Sequence, residues 1–354
     1  MGPENGKLRS VAVMSAAATD SDLCADATGL GRGSSERHLL EALKPLALLS
    51  SSRMLGDPNA TVIIPTLNSA AFLETALCSL AAQRGVTFEV VVVDGGSADG
   101  TIEILRRHEA VLPLRWISEA DHGQADAINK GLRMSSGEIV SWLNADDALL
   151  PGALAQVRQV FAADEGLDML SGLGILTGPS GQFVRVIPVT PIQRLDDLYR
   201  FGCYILQPST FLRRRVFEQH GPLDIEFEFA MDFEYYLRIG RTVRYQFRPE
   251  LLSRFRLHPA SKSVSQHDRF WREEKRAFRR HGGSWHSPFF LAHFYDSKVI
   301  WASYLLATPL RWITWPLFGL SRNEWLRPGP PPLLETEAAP RDSNPDRVPS
   351  GRVA

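Results

Sequence analysis

Short runs of β-branched residues alternate with stretches of helical spacing through the middle of the chain. Thr61-Val-Ile-Ile-Pro65 and Phe88-Glu-Val-Val-Val-Val-Asp94 have the length and composition of buried parallel strands. Leu114 to Ser118 and Glu138 to Leu143 continue the series. Between and after them, Ala70 to Gln83, Thr101 to Glu109 and Gln124 to Met134 show helical periodicity, and Pro151 is placed to open a fourth helix. Strand and helix thus alternate four times between 60 and 163. Such a rhythm predicts parallel strands with right-handed crossovers, in a sheet covered on both faces.

After about 165 the rhythm loosens. Leu167 to Thr177, Gln182 to Ile187 and Val243 to Phe247 read as strands mixed with short helices, an α+β continuation of one domain. Asp268 to His281 is a basic amphipathic helix. The first 57 residues are rich in Ser, Ala, Gly and Asp and read as a largely disordered arm, with one short helical segment at Leu39 to Leu49. Residues 58–267 form the main folded domain on this reading. Residues 268–326 form a helical, aromatic-rich C-terminal extension, and 327–354 a disordered Pro-rich tail. The apolar runs of Phe289 to Trp315 are broken by Asp296, Lys298, Pro309 and Arg311, so they are too short to span a bilayer.

Composition narrows the function. The 354 residues carry 39 Lys and Arg against 40 Asp and Glu, a net charge of -1. That balance argues against a nucleic-acid binder. Cys24, Cys78 and Cys203 are too scattered for a disulfide framework or a CxxC zinc site, and they fit a reducing compartment. Gly172-Leu-Gly174 lacks the third glycine of a dinucleotide fingerprint, and neither a Walker loop nor a Gly-x-Ser-x-Gly elbow occurs.

Polar residues gather instead where the strands end, which is where open parallel sheets bind ligands. The four ends read Pro65-Thr-Leu-Asn68, Asp94-Gly-Gly-Ser-Ala-Asp-Gly-Thr101, Ser118-Glu-Ala-Asp-His-Gly-Gln-Ala-Asp126 and Asn144-Ala-Asp-Asp147. Asp and Asn are also good turn and N-cap residues, and Asp99 is placed to cap the helix at Thr101. Asp94 emerges from four valines, so its charge needs a partner, and a donor-rich nucleobase would supply one. Gly95-Gly96 permits a close backbone approach or a left-handed turn. Asp146 and Asp147 repel unless a cation sits between them. A divalent metal held with substrate phosphates would answer that, and so would a purely structural N-cap ahead of Pro151.

Four segments occur in order: Thr61-Val-Ile-Ile-Pro-Thr-Leu-Asn-Ser69, Val92-Val-Asp-Gly-Gly-Ser-Ala-Asp-Gly-Thr101, Gly123-Gln-Ala-Asp-Ala-Ile-Asn-Lys-Gly131 and Gly137-Glu-Ile-Val-Ser-Trp-Leu-Asn-Ala-Asp-Asp147. Together they resemble the family 2 glycosyltransferases over about 60 to 265. The resemblance implies an α/β glycosyltransferase A-type fold, with a mostly parallel central sheet flanked by helices. It implies inverting transfer of a sugar, hexosyltransferase-type, from a UDP-, GDP- or dTDP-sugar to a hydroxyl acceptor. A glycan or lipid-linked saccharide of cell-surface polysaccharide synthesis fits that acceptor, and Mg2+ or Mn2+ fits the cofactor.

Residue by residue, Pro65, Thr66 and Asn68 match the nucleotide-lining loop, and Asp94 matches the carboxylate that hydrogen-bonds the base. Asn129 and Lys130 match the segment near the donor phosphates. Asn144 and Asp146 match the Asp-x-Asp motif, with an amide in its first acidic position. Metal affinity then rests on Asp146, aided by Asp147. Phe229-Ala-Met-Asp-Phe-Glu-Tyr-Tyr-Leu-Arg-Ile239 matches the Glu-Asp segment, with Met231 in the glutamate position and Asp232 as catalytic base. Glu234 lies about 200° round the helix and reads as an exposed charge. Gln207 and Ser209 fall in the acceptor-facing loop. His258 is placed to complete the metal shell or meet a phosphate, and Lys262 to neutralise leaving-group charge.

The Asn144 and Met231 departures keep a second reading open, a degenerate nucleotide-sugar or glycan-binding module. A sugar-phosphate nucleotidyltransferase is disfavoured, because Thr66-Leu-Asn-Ser-Ala-Ala lacks its Gly-rich basic loop. The basic helix and the aromatic stretch after it, 268–315, fit either docking on the catalytic domain or peripheral contact with an anionic membrane. The expected location is cytoplasmic, at the inner face of the membrane.

Overall fold

The computed structural model describes residues 59–187, 192, 194–201, 205–262, 266–284 and 286–287. The expected N-terminal arm with its Leu39 to Leu49 helix, the Phe289 to Trp315 stretch and the Pro-rich tail lie outside the described residues. The rest is one sheet with helices on both faces.

The predicted alternation is present. It runs β1 (Ala60–Thr66), α1 (Leu73–Ala81), β2 (Phe88–Asp94), α2 (Thr101–Glu109), β3 (Leu114–Ser118), α3 (Gln124–Met134), β4 (Ile139–Trp142) and, after the short β5 (Ala148–Leu149), α4 (Ala153–Ala163). β1 pairs in parallel with both β2 and β4, and β2 with β3. Side-chain alternation explains why both faces are covered. Val62, Ile64, Val90 and Val92 face α1, α2 and α4, whereas Ile63, Val140 and Trp142 face α3 and the later helices. Gly131 lets α3 lie close on the sheet, since a Cβ there would stand 2.4 Å from Ile63 Cγ2.

The later elements are β6 (Met169–Thr177), β7 (Phe183–Val186), α5 (Leu198–Phe201), β8 (Thr210–Arg213), α6 (Arg214–His220), α7 (Met231–Ile239), β9 (Tyr245–Arg256) and α8 (His267–Arg280). They extend the sheet to the order β3-β2-β1-β4-β8-β6-β9-β5, with β7 on β6. β8 is antiparallel to β4 and β6, while β9 runs parallel to β6 and antiparallel to β5.

Two sequence expectations are corrected. Pro151 does not open α4: Gly152 stands before it with φ 77, a left-handed conformation outside the helix, and Ala153 begins the helix. The strand expected at Val243 to Phe247 runs on to Arg256, because it follows β6 as far as Thr177. That extension delivers the segment after Arg256 to the edge where β1 to β4 end. α8 packs on α7 through Ala277 and Phe278, both fully buried in the core cluster of that face. Among the described residues, no helix is long and apolar enough to cross a membrane.

Candidate active site

Thr66, Asp94 and Ser118 are neighbours in register across the ends of β1, β2 and β3. The Asp94 carboxylate is wholly buried but not alone. It accepts from Gly96 N at 3.0 Å, Ser97 N at 2.9 Å and Ser118 Oγ at 2.7 Å, and from Ser97 Oγ. The donors expected of a nucleobase are thus supplied by Gly96, Ser97 and Ser118, and the Asp94 charge is satisfied within the protein. Gly96 has φ 90, a left-handed conformation that favours glycine, and Gly95 lies against the Asp121 carboxylate.

Asn68, left-handed at φ 49, accepts from Ala98 N and donates its own N–H to Ser97 Oγ. Asp99 accepts from Ala70 N and from Thr101 N and Oγ1, so it satisfies the first N–H of α2 from ahead of the Gly100 N-cap while fastening the β1 loop. Pro65 lies buried in β1. Thr66 Oγ1 at the strand end is buried without a hydrogen-bond partner among the described residues. An orphaned hydroxyl at the lip of the loop suits a ligand that lies along it.

The acidic turn after β4 separates its two carboxylates. Asp147 points inward, accepting from Arg256 N at 3.0 Å and Asn144 Nδ2 at 3.0 Å. Burial and the charge of Asp146 push its carboxyl well above the ordinary range. Asp147 therefore offers no metal ligand, which corrects the expectation that it aids Asp146. The repulsion between them is relieved by their opposite orientation.

Asp146 faces outward, 3.0 Å from His258 Nε2. The His258 ring lies 4.4 Å from the Phe72 ring, and Arg256 donates to the Asp146 carbonyl. Asn144 accepts from Gln124 Nε2 at 2.6 Å, so the first turn of α3 borders the same turn. Asp146 and His258 are one hard oxygen and one imidazole side by side. Two protein ligands of this kind suit a divalent cation.

A second possible ligand group, Glu74, Cys78 and His108, has its ligand atoms within 4.8 Å of one another on α1 and α2. There Glu74 already meets His108 Nε2 at 2.7 Å and Arg107 at 2.9 Å, so its charge is balanced within the protein.

Two residues expected near the phosphates have other partners. Asn129, buried, accepts from Leu223 N and donates to Leu223 O, both at 2.9 Å, and so brackets the chain beyond α6. Lys130 Nζ donates to Ala120 O and pairs with Glu119 at 2.8 Å and Asp126 at 3.6 Å. The acceptor assignments change likewise. Ser209 is fully buried on Leu173 O and Ser253 Oγ, which removes it as an acceptor contact. Gln207 remains part-buried and donates to Trp142 O at 2.7 Å.

Asp232 lies in the first turn of α7. Burial raises its carboxyl to about 6, and hydrogen bonds from Phe233 N and its own N–H only partly oppose this. Among the described residues it forms no ion pair. Glu234 is not the exposed charge expected of it. It is buried at 2 % side-chain exposure and paired with Arg238 and His281, each at 2.8 Å, because α8 covers that face. Lys262, exposed on the segment leading from His258 to α8, places Nζ 5.6 Å from the centre of the Phe229 ring, ahead of α7. One short loop therefore touches both the Asp146 turn and the start of the Asp232 helix.

Arg256, Gln124, Phe72 and the glutamates of α8 escaped the sequence reading. Gln124 alone carried a signal, as the second residue of the Gly123 to Gly131 segment. Glu274 is buried, and burial together with the Asp232 charge raises its carboxyl to about 8. In the folded chain it keeps its proton where the unfolded chain, near 4.5, has lost it. Stability should therefore fall as pH rises from the unfolded value to about 8, then level off. Glu274→Gln is expected to remove most of that loss. Urea denaturation at pH 8.5 should show the variant more stable by a few kcal/mol, with the difference vanishing near pH 4. Equal midpoints at both pH values would refute the buried proton.

Comparison with known proteins agrees with this geometry. The family model described as glycosyl transferase family 2 matches residues 61–234. A Mycobacterium bovis protein named PGL/p-HBAD biosynthesis glycosyltransferase is 32% identical over 187 residues, covering 52% of this chain and 70% of its own. An uncharacterized glycosyltransferase of Nostoc is 32% identical over 172 residues, covering 46% of this chain and 53% of its own. Among solved structures, S. aureus TarS 1-349 in complex with UDP-GlcNAc aligns at TM-score 0.52 and 21% identity, over 67% of this chain and 70% of that one. The mannosyltransferase PcManGT from Pyrobaculum calidifontis, in complex with GDP-Man and Mn2+, aligns at TM-score 0.51 and 19% identity, over 86% and 94%. At those identities the structural likeness shows the fold.

Proposed function

The chain belongs to glycosyl transferase family 2 and is a transferase of the glycosyltransferase type, and from that premise we propose an inverting transfer from a nucleotide-diphosphate sugar to a hydroxyl group. The observation that carries this reading is Asp232, whose part-buried carboxyl at the start of α7 is raised to about 6 by desolvation. A group with that value is ionised at neutral pH yet basic enough to take a proton. In a single displacement, Asp232 Oδ accepts the proton of the acceptor hydroxyl as that oxygen bonds to the anomeric carbon. The bond from that carbon to the diphosphate oxygen breaks on the opposite face, and the nucleoside diphosphate departs.

Asp146 and His258 would hold the divalent metal, Mg2+ or Mn2+, which when bound supplies charge neutralisation for the departing diphosphate. Lys262, on the same loop, adds a cation that can reach it. The first turn of α3, fixed to Asn144 through Gln124, adds unpaired backbone N–H groups suited to phosphate oxygens. Thr66, Asn68 and the Asp94 loop form the wall against which the nucleoside lies. UDP-, GDP- and dTDP-sugars all suit this frame.

The acceptor on this reading is a glycan or lipid-linked saccharide, met from the side of Gln207. The protein would work on the cytoplasmic face of a membrane, where the exposed Arg269, Arg272 and Arg279 of α8 contact anionic headgroups. Co-sedimentation with phosphatidylglycerol vesicles, lost in 0.5 M salt, checks that contact. No binding at low salt would remove it.

A thermal-shift screen of UDP, GDP, dTDP and their sugars, with and without Mn2+, tests the donor assignment. One nucleotide series should raise the melting temperature, and more so with Mn2+. No shift with any of them would favour a module that binds no donor.

A further inference from the structure

The helix that presents Asp232 is poorly equipped to fix its own beginning. Ala230 stands at the N-cap and makes no side-chain capping bond, although helix starts leave N–H groups that need an acceptor. The acceptor comes instead from α8, more than forty residues later. Glu273 accepts from Glu228 N at 3.1 Å, Phe229 N at 2.7 Å and Ala230 N at 3.0 Å. Three successive N–H groups thus converge on one carboxylate, whose charge also faces the positive end of the helix dipole.

The same stripe of α8 continues the grip. Glu274 is buried, Ala277 and Phe278 pack fully buried in the α7 core, and His281 Nε2 meets Glu234 Oε1 at 2.8 Å. Spacings of three and four residues put all of them on one face. The grip therefore begins at the cap of α7, next to Asp232, and ends a turn further on at Glu234. All of it lies beyond residue 234, where the family match ends.

We propose that Glu273 is a positioning residue for the transfer, holding the first turn of α7 so that the Asp232 carboxylate meets the acceptor hydroxyl. The proposal rests on the reading of Asp232 as the base. Glu273 touches no reacting atom. Its effect is to fix the φ/ψ of 228–230 and hence the direction in which Asp232 leaves the helix. A displacement of about 1 Å in such a group costs on the order of 100-fold in rate. Donor affinity, set at the Asp146 turn, is independent of it.

The experiment compares Glu273→Ala, Glu273→Gln and, as control, Glu109→Gln at the exposed end of α2, in the full chain, about 20 °C below the lowest melting temperature among them. Donor affinity and acceptor KM are measured alongside kcat. Glu273→Ala should lower kcat by about 10- to 100-fold with donor affinity and KM within about twofold. Glu273→Gln, which keeps one acceptor oxygen, should recover part of that loss, and Glu109→Gln should match the wild type. If Glu273→Ala does not fold, the kcat of Glu273→Gln decides the matter against the same criterion.

A lowered melting temperature with kcat unchanged in both Glu273 variants would overturn the proposal, leaving Glu273 a purely structural cap. A loss confined to KM or donor affinity would overturn it equally. Asp232→Asn is run in parallel. If it retains transfer, the base assignment has failed. If it is inactive while the Glu273 variants are not, only the positioning role has.

Discussion

Asp232→Asn is expected to lower kcat by about 10²- to 10⁴-fold while donor affinity stays within about twofold. The substitution keeps the size of the side chain and an oxygen to accept from Phe233 N, so α7 retains its first turn. On the proposed mechanism, what disappears is the group that takes the acceptor proton. Glu234 cannot replace it, being buried and committed to Arg238 and His281. The pH dependence should carry the same signature. Activity needs the ionised carboxylate, so kcat in the wild type should rise with pH through about 6, well above where an ordinary aspartate at 3.8 titrates. Steady-state kinetics between pH 4.5 and 8 measure both. A variant that keeps a tenth or more of wild-type kcat would remove Asp232 from the chemistry.

Asp146→Ala should act on the other half of the reaction. With Asp147 turned inward, Asp146 is the only carboxylate of the turn that faces outward, and its partner is His258. Its loss should weaken donor binding in Mn2+ by about 100-fold, the upper end of what disturbing a metal shell costs. In EDTA the wild type and variant should bind alike, because what remains is contact with the nucleoside. Calorimetric titration with the nucleoside diphosphate under both conditions checks this. A variant that binds as tightly as the wild type in Mn2+ would transfer the metal role to other residues.

The two effects separate along the same physical line that divided the legible from the illegible in the sequence. Runs such as Val90 to Val93 announce buried parallel strands because only a sheet covered on both faces buries consecutive β-branched residues. The Gln124–Met134 helix was legible for the same reason, with its apolar spacing complete. The two-residue β5 and the long β9 were not, since their partners lie about a hundred residues apart.

Within the site, residue types at strand ends marked the region, but not which polar atoms already had partners. Asp94, Asn129 and Ser209 look alike in sequence to ligand-facing groups. Their partners, Ser118, Leu223 and Ser253, appear only when the chain is folded. Asp146 and Asp147 are adjacent in sequence, and only the N–H of Arg256 decides which of them is drawn inside. Helix α8 shows the limit most clearly. Its sequence fitted both a docked helix and a membrane surface, and in the fold its buried face packs on α7, the helix that carries Asp232.

The central claim is a single displacement driven by Asp232, and the configuration of the product tests it most directly. Proton NMR of the first sugar released from an α-linked nucleotide sugar, with water or the natural acceptor as nucleophile, reports that configuration before mutarotation blurs it. The account predicts the β anomer from the wild type and no release above background from Asp232→Asn. An α anomer formed first would contradict it.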